Sequence, residues 1–385
     1  MQILKQSAPH LRRKDTLMMM MLDVLIALTP LVIFALVVYR LDALRNILVS
    51  VATMELAEFI FVLIKNRLPY DGNKHTFKEK FTHAIKGYSI TNVMVPLVSA
   101  VIFSLIMPAK TNPSGLIYVA LITGSAFGLT IGKLVFGGTG TNIFNPAAVG
   151  MAFSKLCFGS KYVLTSNPWY ESHYDTVAGA TALSPTYISA STKTFDISSY
   201  SLLDLFLGRT PGLMGEVCKL LIIVGLIYLV IRHTCDFRIP LAYIGTFFFI
   251  MVFAGIVIHH FDNNVKVFNF ATYQLLTGGL LFGATFMATD PVTSPITRPG
   301  RLIFGSILGV LTAVIRLFGA LPEGVVFSIL IGNMLTPLID YRKWSTNNYN
   351  WKNILIISLI IILSTLIIAC ALGLMLFKNI GVEVS

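Results

Sequence analysis

The residues in this sequence with chemistry to offer are two asparagines, a few carboxylates and one small threonine-ended peptide, most of them set among apolar residues. Phe136 to Gly150 reads FGGTGTNIFNPAAVG, which puts Gly137, Gly138 and Gly140 beside Asn142, Asn145 and Pro146. At membrane depth, non-helical backbone of this kind needs protein or a water-filled cavity to satisfy its polar groups. If a helix has begun by Asn142, the two asparagines share one face and offer amide donors and acceptors to a flat heteroaromatic ring or a carbonyl. A broken helix with asparagine caps and close-packed glycines accounts for the same residues equally well.

Glu55 and Glu58 stand three apart, hence on one helical face, inside an apolar run. Carboxylates in hydrocarbon are costly unless paired or hydrated, so they mark ion or proton paths, with a structural bridge as the alternative. Asp290, in MATDPVTSPIT, ends a short apolar run ahead of Arg298 and Arg301. An acid at a broken helix binds a cation or relays a proton, or else pairs with a nearby arginine at the membrane surface. Asp23, Glu216 and Arg316 are weaker candidates near run ends. In DTVAGAT, Asp175 to Thr181, small residues around a hydroxyl let another molecule approach the backbone. On composition alone this peptide is an exposed loop.

The elements that must position these groups are helices. Of 385 residues, 55% are hydrophobic and only 12% charged, against about 25% charged in soluble proteins, and the mean hydropathy is +0.77. Such a chain cannot cover itself in water and reads as an integral membrane protein. Its net charge of +11 comes from basic residues between apolar runs, the pattern of topology determinants rather than of a nucleic-acid surface. Cys157, Cys218, Cys235 and Cys370 are scattered, and His259 and His260 are adjacent, so neither a disulfide framework nor a metal site is expected.

Apolar runs near 22–39, 46–65, 90–107, 116–133, 145–157, 214–232, 239–258, 273–288, 302–319, 324–341 and 353–377 predict an all-α, polytopic fold of 10 to 11 transmembrane helices. The first run lacks a following cleavage site and is expected to stay as a helix. The fifth and eighth runs are short and bordered by Gly, Asn, Asp and Pro, so broken helices are expected there. Alternating spans put Lys5 to Lys14, the 65–86 loop, Arg232 to Arg238, Arg298 with Arg301, and Arg342 with Lys343 on one side, the cytoplasm by the positive-inside rule. The long polar segment from 158 to 213 then lies outside the cell membrane. VSAVIFSLIMPAKTNPSGLI, 98–117, aligns loosely with LLFGATFMATDPVTSPITRPGRLI, 280–303, which suggests two inverted five-helix repeats. The expected organisation is a cytoplasmic segment 1–21, a first repeat 22–157, the outer loop 158–213, a second repeat 214–341, and a C-terminal segment 342–385 with an added span.

Taken together, SAPHLRRKDTLMMMMLDVLIALTP, GGTGTNIFNPAAVGMAF, DTVAGATAL and GATFMATDPVTSPIT resemble the D subunits of Rnf electron-transport complexes and, more distantly, the B subunits of the sodium-pumping NADH:quinone oxidoreductase. The match runs through about residue 341. In that family, an Asp-x-x-(Ser/Thr)-Gly-Ala-Thr peptide receives FMN from a flavinyltransferase through a phosphoester. The resemblance therefore implies covalent FMN on Thr181, with Asp175, Gly179 and Ala180 in the attachment motif. Ala178 stands where Ser or Thr is usual, and Ala182 where Pro is frequent. A second, noncovalent flavin, riboflavin, is implied near Asn142 and Asn145.

The resemblance further implies partners in the A, B, C, E and G proteins of the Rnf complex, ferredoxin and NAD+ chemistry in those partners, and coupling to Na+ or H+. Glu55, Glu58 and Asp290 are the ion-path candidates, chosen from burial chemistry. Flavin chemistry needs no catalytic side-chain pair from the protein. Two alternatives stand beside this: a membrane protein of the quinone-reductase type, and a flavin-free secondary transporter or channel, which broken helices and midplane polar residues suit as well.

Overall fold

The computed structural model describes residues 16–65, 82–83, 85, 88–163, 201–261, 263, 265–319, 323–341 and 351–381. The peptide carrying Asp175, Gly179, Ala180 and Thr181 lies outside the described residues. The chain is an all-α polytopic membrane protein. In chain order its helices are α1 (Leu17–Tyr39), α2 (Leu41–Lys65), α3 (Ile90–Leu105), α4 (Leu116–Gly132), α5 (Pro146–Phe158), α6 (Leu202–Leu207), α7 (Lys219–Ile231), α8 (Arg238–Phe261), α9 (Val267–Leu276), α10 (Leu280–Phe282), α11 (Arg298–Phe318), α12 (Val325–Ile339) and α13 (Trp351–Gly381). Among the described residues, six helices are long and apolar enough to cross a membrane, and α3, α7 and α12 are shorter apolar helices. Among the described residues the strands are Lys110–Thr111 and Tyr162–Val163, paired antiparallel with Lys110 opposite Val163. They tie the entrance of α4 to the exit of α5.

Packing follows the same order in both halves. In the first, α1 packs on α3, α2 on α3 and α4, and α4 on α5. In the second, α7 packs on α10, α8 on α9 and α11, and α11 on α12. The halves meet where α1 packs on α7 and α5 on α12, while α13 lies against α8 and α11. The α4–α5 contact is close because small residues face each other: a Cβ on Gly128 would stand 2.6 Å from the carbonyl oxygen of Pro146.

The eighth apolar run, where a broken helix is expected, is two pieces. Helix α9 stops at Leu276, and after Thr277–Gly279 the chain resumes as α10 and a π turn, Gly283–Met287. Gly278, with φ +65°, makes the turn that an L side chain resists. The carbonyls released there are taken by buried cations. Arg316 donates to the oxygens of Gln274 and Thr277, and Lys219 donates to that of Gly278 at 2.9 Å. Cationic donors suit the partial negative charge of a helix C-terminus.

Candidate functional site

Helix α4 ends at Gly132, and Lys133 begins a break that runs to Pro146. A short 3-10 turn, Leu134–Phe136, is followed by Gly137, Gly138 and Gly140 with φ of +109°, +100° and +91°. Only glycine takes up such conformations freely, so the GGTG spacing is what lets the chain turn back toward α5. Proline at the first position of α5 starts the helix with φ preset and without needing an N–H partner.

Asn145 is the N-cap of α5, not a residue within it. Its Oδ1 accepts from the N–H groups of Ala147 at 3.0 Å and Ala148 at 3.3 Å, and its Nδ2 donates to the carbonyl of Met287 at 3.3 Å. It thus caps one broken helix and ties it to the end of the π turn in the other half. Asn142 precedes the helix, so the two asparagines do not share a helical face as the spacing alone suggests. Its side chain is half-buried and makes one long hydrogen bond, to the carbonyl of Phe144 at 3.4 Å.

Both asparagines line one cavity, which also brings in Thr139, Lys133 and, from the second half, Thr285 and Asp290. Its walls come from the first turns of α1, from α3, from the end of α7 and from residues 285–292. The empty space, counted to the open mouth, is about 770 Å³. Asp290 follows the π turn, as expected for an acid at a helix end. Its carboxylate accepts from the N–H of Val292 and the hydroxyl of Thr293, each at 3.2 Å. Among the described residues no cation pairs with it. Arg301 instead pairs with Asp236 and donates to the carbonyl of Pro295.

Glu58 does not line this cavity but touches a residue that does. Its carboxylate forms an ion pair of 2.9 Å with Lys133, and both side chains are fully buried, at 2% and 1% exposure. Glu55, one turn away, is half-buried. One of its oxygens accepts from the Tyr88 hydroxyl at 3.4 Å, and the other is buried with no partner among the described residues. The weaker sequence candidates separate. Asp23 is a clamp between α1 and α7, accepting from Tyr228, Arg232 and Thr234. Arg316 holds the α9 break. Glu216 lines a smaller pocket beside that break, with Glu323 and Lys219.

Two residues of the arrangement escape a reading of the sequence. Lys133 closes an apolar run next to a glycine cluster, where a lysine reads as a topology charge. Its one signal is the unmatched Glu58 in an earlier span. Asp340, beyond α12, accepts from the N–H groups of Ile296 and Thr297 and from the Thr297 hydroxyl, which fixes the turn after Asp290.

Residues 4–347 match the model of the NQR2, RnfD, RnfE family. The D subunit of the proton-translocating ferredoxin:NAD(+) oxidoreductase complex of Clostridium ljungdahlii is 31% identical over 341 residues, 87% of this chain and 92% of that one. The D subunit of the Na(+)-translocating ferredoxin:NAD(+) oxidoreductase complex of Acetobacterium woodii is 30% identical over 339 residues, 87% of this chain and 91% of that one. The B subunit of the Na(+)-translocating NADH-quinone reductase of Chromohalobacter salexigens is 38% identical over 247 residues, 63% of this chain, and the match spans only 57% of that protein's length. With a matching segment that covers nearly all of its helices, the chain belongs to the NQR2, RnfD, RnfE family.

Proposed function

We propose that this chain is the membrane subunit of a ferredoxin:NAD+ oxidoreductase complex that couples electron flow to Na+ or H+ movement, with FMN esterified to Thr181. The observation that carries the reading is the cavity in which Asn142, Asn145 and Asp290 meet, with the Glu58–Lys133 pair against its wall. An apolar pocket with a few polar groups and buried membrane carboxylates here share one set of helices.

A noncovalent flavin such as riboflavin suits the lining of this cavity. Small-molecule pockets are mostly apolar with a few polar groups, and this one is walled by Met20, Met21, Val98 and Ile102 among others. The Thr139 hydroxyl is buried without a partner among the described residues, a donor or acceptor waiting for a ligand. Asn142 and Thr139 are the groups to hold the ring, while the amide of Asn145 is already engaged in the fold. Bound flavin supplies one-electron acceptance and release. The chain's own part is to exclude water with α1 and α3 and to keep Asp290 and Lys133 beside the ring.

The attachment of FMN rests on the sequence Asp175 to Thr181, in which Asp175, Gly179, Ala180 and Thr181 match the motif. The basic residues at the N-terminus and in alternate loops support a cytoplasmic N-terminus and an outer 158–213 loop in the cytoplasmic, or inner, membrane. The remaining Rnf proteins and the flavinyltransferase are the partners this reading requires, with Glu55, Glu58 and Asp290 meeting the ion.

Acid extraction of the purified complex tests the cavity. Noncovalent flavin is expected in wild type at about one per chain, and Asn142→Leu is expected to lower it several-fold while flavin held covalently is retained. Equal noncovalent flavin in wild type and variant would move the ring out of this cavity.

A further inference from the structure

Helices α2 and α4 run parallel. Three contacts mark their shared direction: the Arg45 guanidinium lies 5.5 Å from the Tyr118 ring centre, Glu58 meets Lys133 at 2.9 Å, and Lys65 donates to the carbonyl of Gly137 at 2.8 Å. Counting back from the ion pair along each helix by fours gives Met54 and Ser50 on α2, and Leu129 and Ser125 on α4. Residues four apart share a helical face, and each serine stands eight residues before its member of the pair. At 1.5 Å per residue the two serines therefore reach the same depth, ~12 Å from the pair. Both are fully buried, and neither hydroxyl has a hydrogen-bond partner among the described residues. One oxygen of Glu55 is likewise buried and unpartnered among them. Buried polar groups left without partners are unusual and call for an explanation.

We propose that this α2–α4 seam is a path for a small monovalent cation, and that Lys133 is its exchangeable plug. Its ammonium group occupies the Glu58 carboxylate until an incoming cation displaces it toward the cavity. The inference rests on the reading of Glu55 and Glu58 as ion-path residues and adds the group that competes with the ion. Oxygen atoms from serine and carboxylate are the ligands that hard cations take, and the row from Ser50 and Ser125 to Glu55 and Glu58 supplies them at two depths. Lys133 lies at the inner end of the row, at the junction where α4 breaks, so its side chain touches both Glu58 and the cavity. Once displaced, its charge faces the cavity that also holds the Asp290 carboxylate. The titratable groups facing it are then Glu58, Glu55 and Tyr88 on the seam side and Asp290 on the cavity side. An occupant of the cavity that gains negative charge attracts the ammonium group and frees Glu58, which links cavity charge to cation entry with no covalent step.

The test uses the whole complex in proteoliposomes, with Na+ uptake followed at fixed pH and proton uptake followed in Na+-free buffer while electrons flow. Lys133→Gln removes the internal competitor, and the half-saturating concentration of whichever cation moves is expected to fall by about tenfold. Glu58→Gln with Lys133→Gln leaves a neutral pair of similar size, expected to assemble and to move less than about a tenth of the wild-type number of cations per electron passed. An unchanged half-saturation in the single variant, or wild-type transport in the double one, would show the pair to be only a structural bridge. Should the single variant fail to assemble, the double variant decides alone. Wild-type vesicles that pass electrons without moving either cation overturn the functional reading itself, and this inference with it.

Discussion

Asn145 separates the work of holding the fold from the work of holding a ligand. Replacing it by alanine removes two cap hydrogen bonds to Ala147 and Ala148 and the link to Met287. Loss of an N-cap costs ~0.5–2 kcal/mol, and a lost hydrogen bond that leaves a buried carbonyl unsatisfied costs ~1–3 kcal/mol. The sum is about 3 kcal/mol. At ~2 °C per kcal/mol for a chain larger than a small domain, the apparent Tm falls by about 6 °C. Asn145→Ser keeps a capping oxygen but lacks the amide donor to Met287, so it is expected to recover the cap's share, about 1 kcal/mol of the loss. The assay is thermal unfolding of the detergent-solubilised protein at one fixed scan rate, because the apparent Tm of an irreversible transition depends on that rate. An alanine variant as stable as wild type, or a serine variant no better than alanine, would refute the assignment of Asn145 to capping and to the junction of the halves.

Two further outcomes follow from packing and charge. Gly128→Ala places a methyl group 2.6 Å from the carbonyl oxygen of Pro146, so α4 and α5 must separate; a loss of ~1–3 kcal/mol is expected, read as reduced Tm with normal insertion. In the turn between α7 and α8, burial works against the Asp236 charge, but hydrogen bonds from Arg238 and Arg301 outweigh it and hold the carboxyl below its usual range. A depressed folded pKa stabilises above the unfolded value, ~3.9, and the benefit fades as pH falls through the folded value. Asp236→Asn is therefore expected to lower Tm at pH 7, with the gap beginning to narrow near about pH 4 and closing only below the depressed folded value, as thermal scans across that window would record.

Much of this architecture is legible in the sequence because a bilayer demands long apolar helices and charge at their ends. The runs at 22–39, 46–65 and 302–319 fall on α1, α2 and α11. The eighth run reads as a broken helix from its Gly, Asp and Pro borders, but the exact break at Thr277, Gly278 and Gly279 hides in an apolar average. What stabilises that break, Arg316 and Lys219, comes from other helices. For the site, the glycines and Pro146 announce a break, but the roles of the two asparagines depend on where α5 starts, one residue after Asn145. The partnership of Glu58 with Lys133 joins residues 75 apart in sequence, a distance over which no local pattern reaches. Asp290 reads correctly as a helix-end acid, yet its neighbours are a backbone N–H and a threonine instead of the arginines that follow it.

The claim on which the rest depends is that the chain is a flavoprotein. The direct measurement is to express it with its flavinyltransferase, separate it on a denaturing gel and record flavin fluorescence for wild type and Thr181→Ala. A fluorescent wild-type band that goes dark in the variant is the predicted result. A dark wild-type band beside a fluorescent control protein would contradict the account and favour a flavin-free transporter.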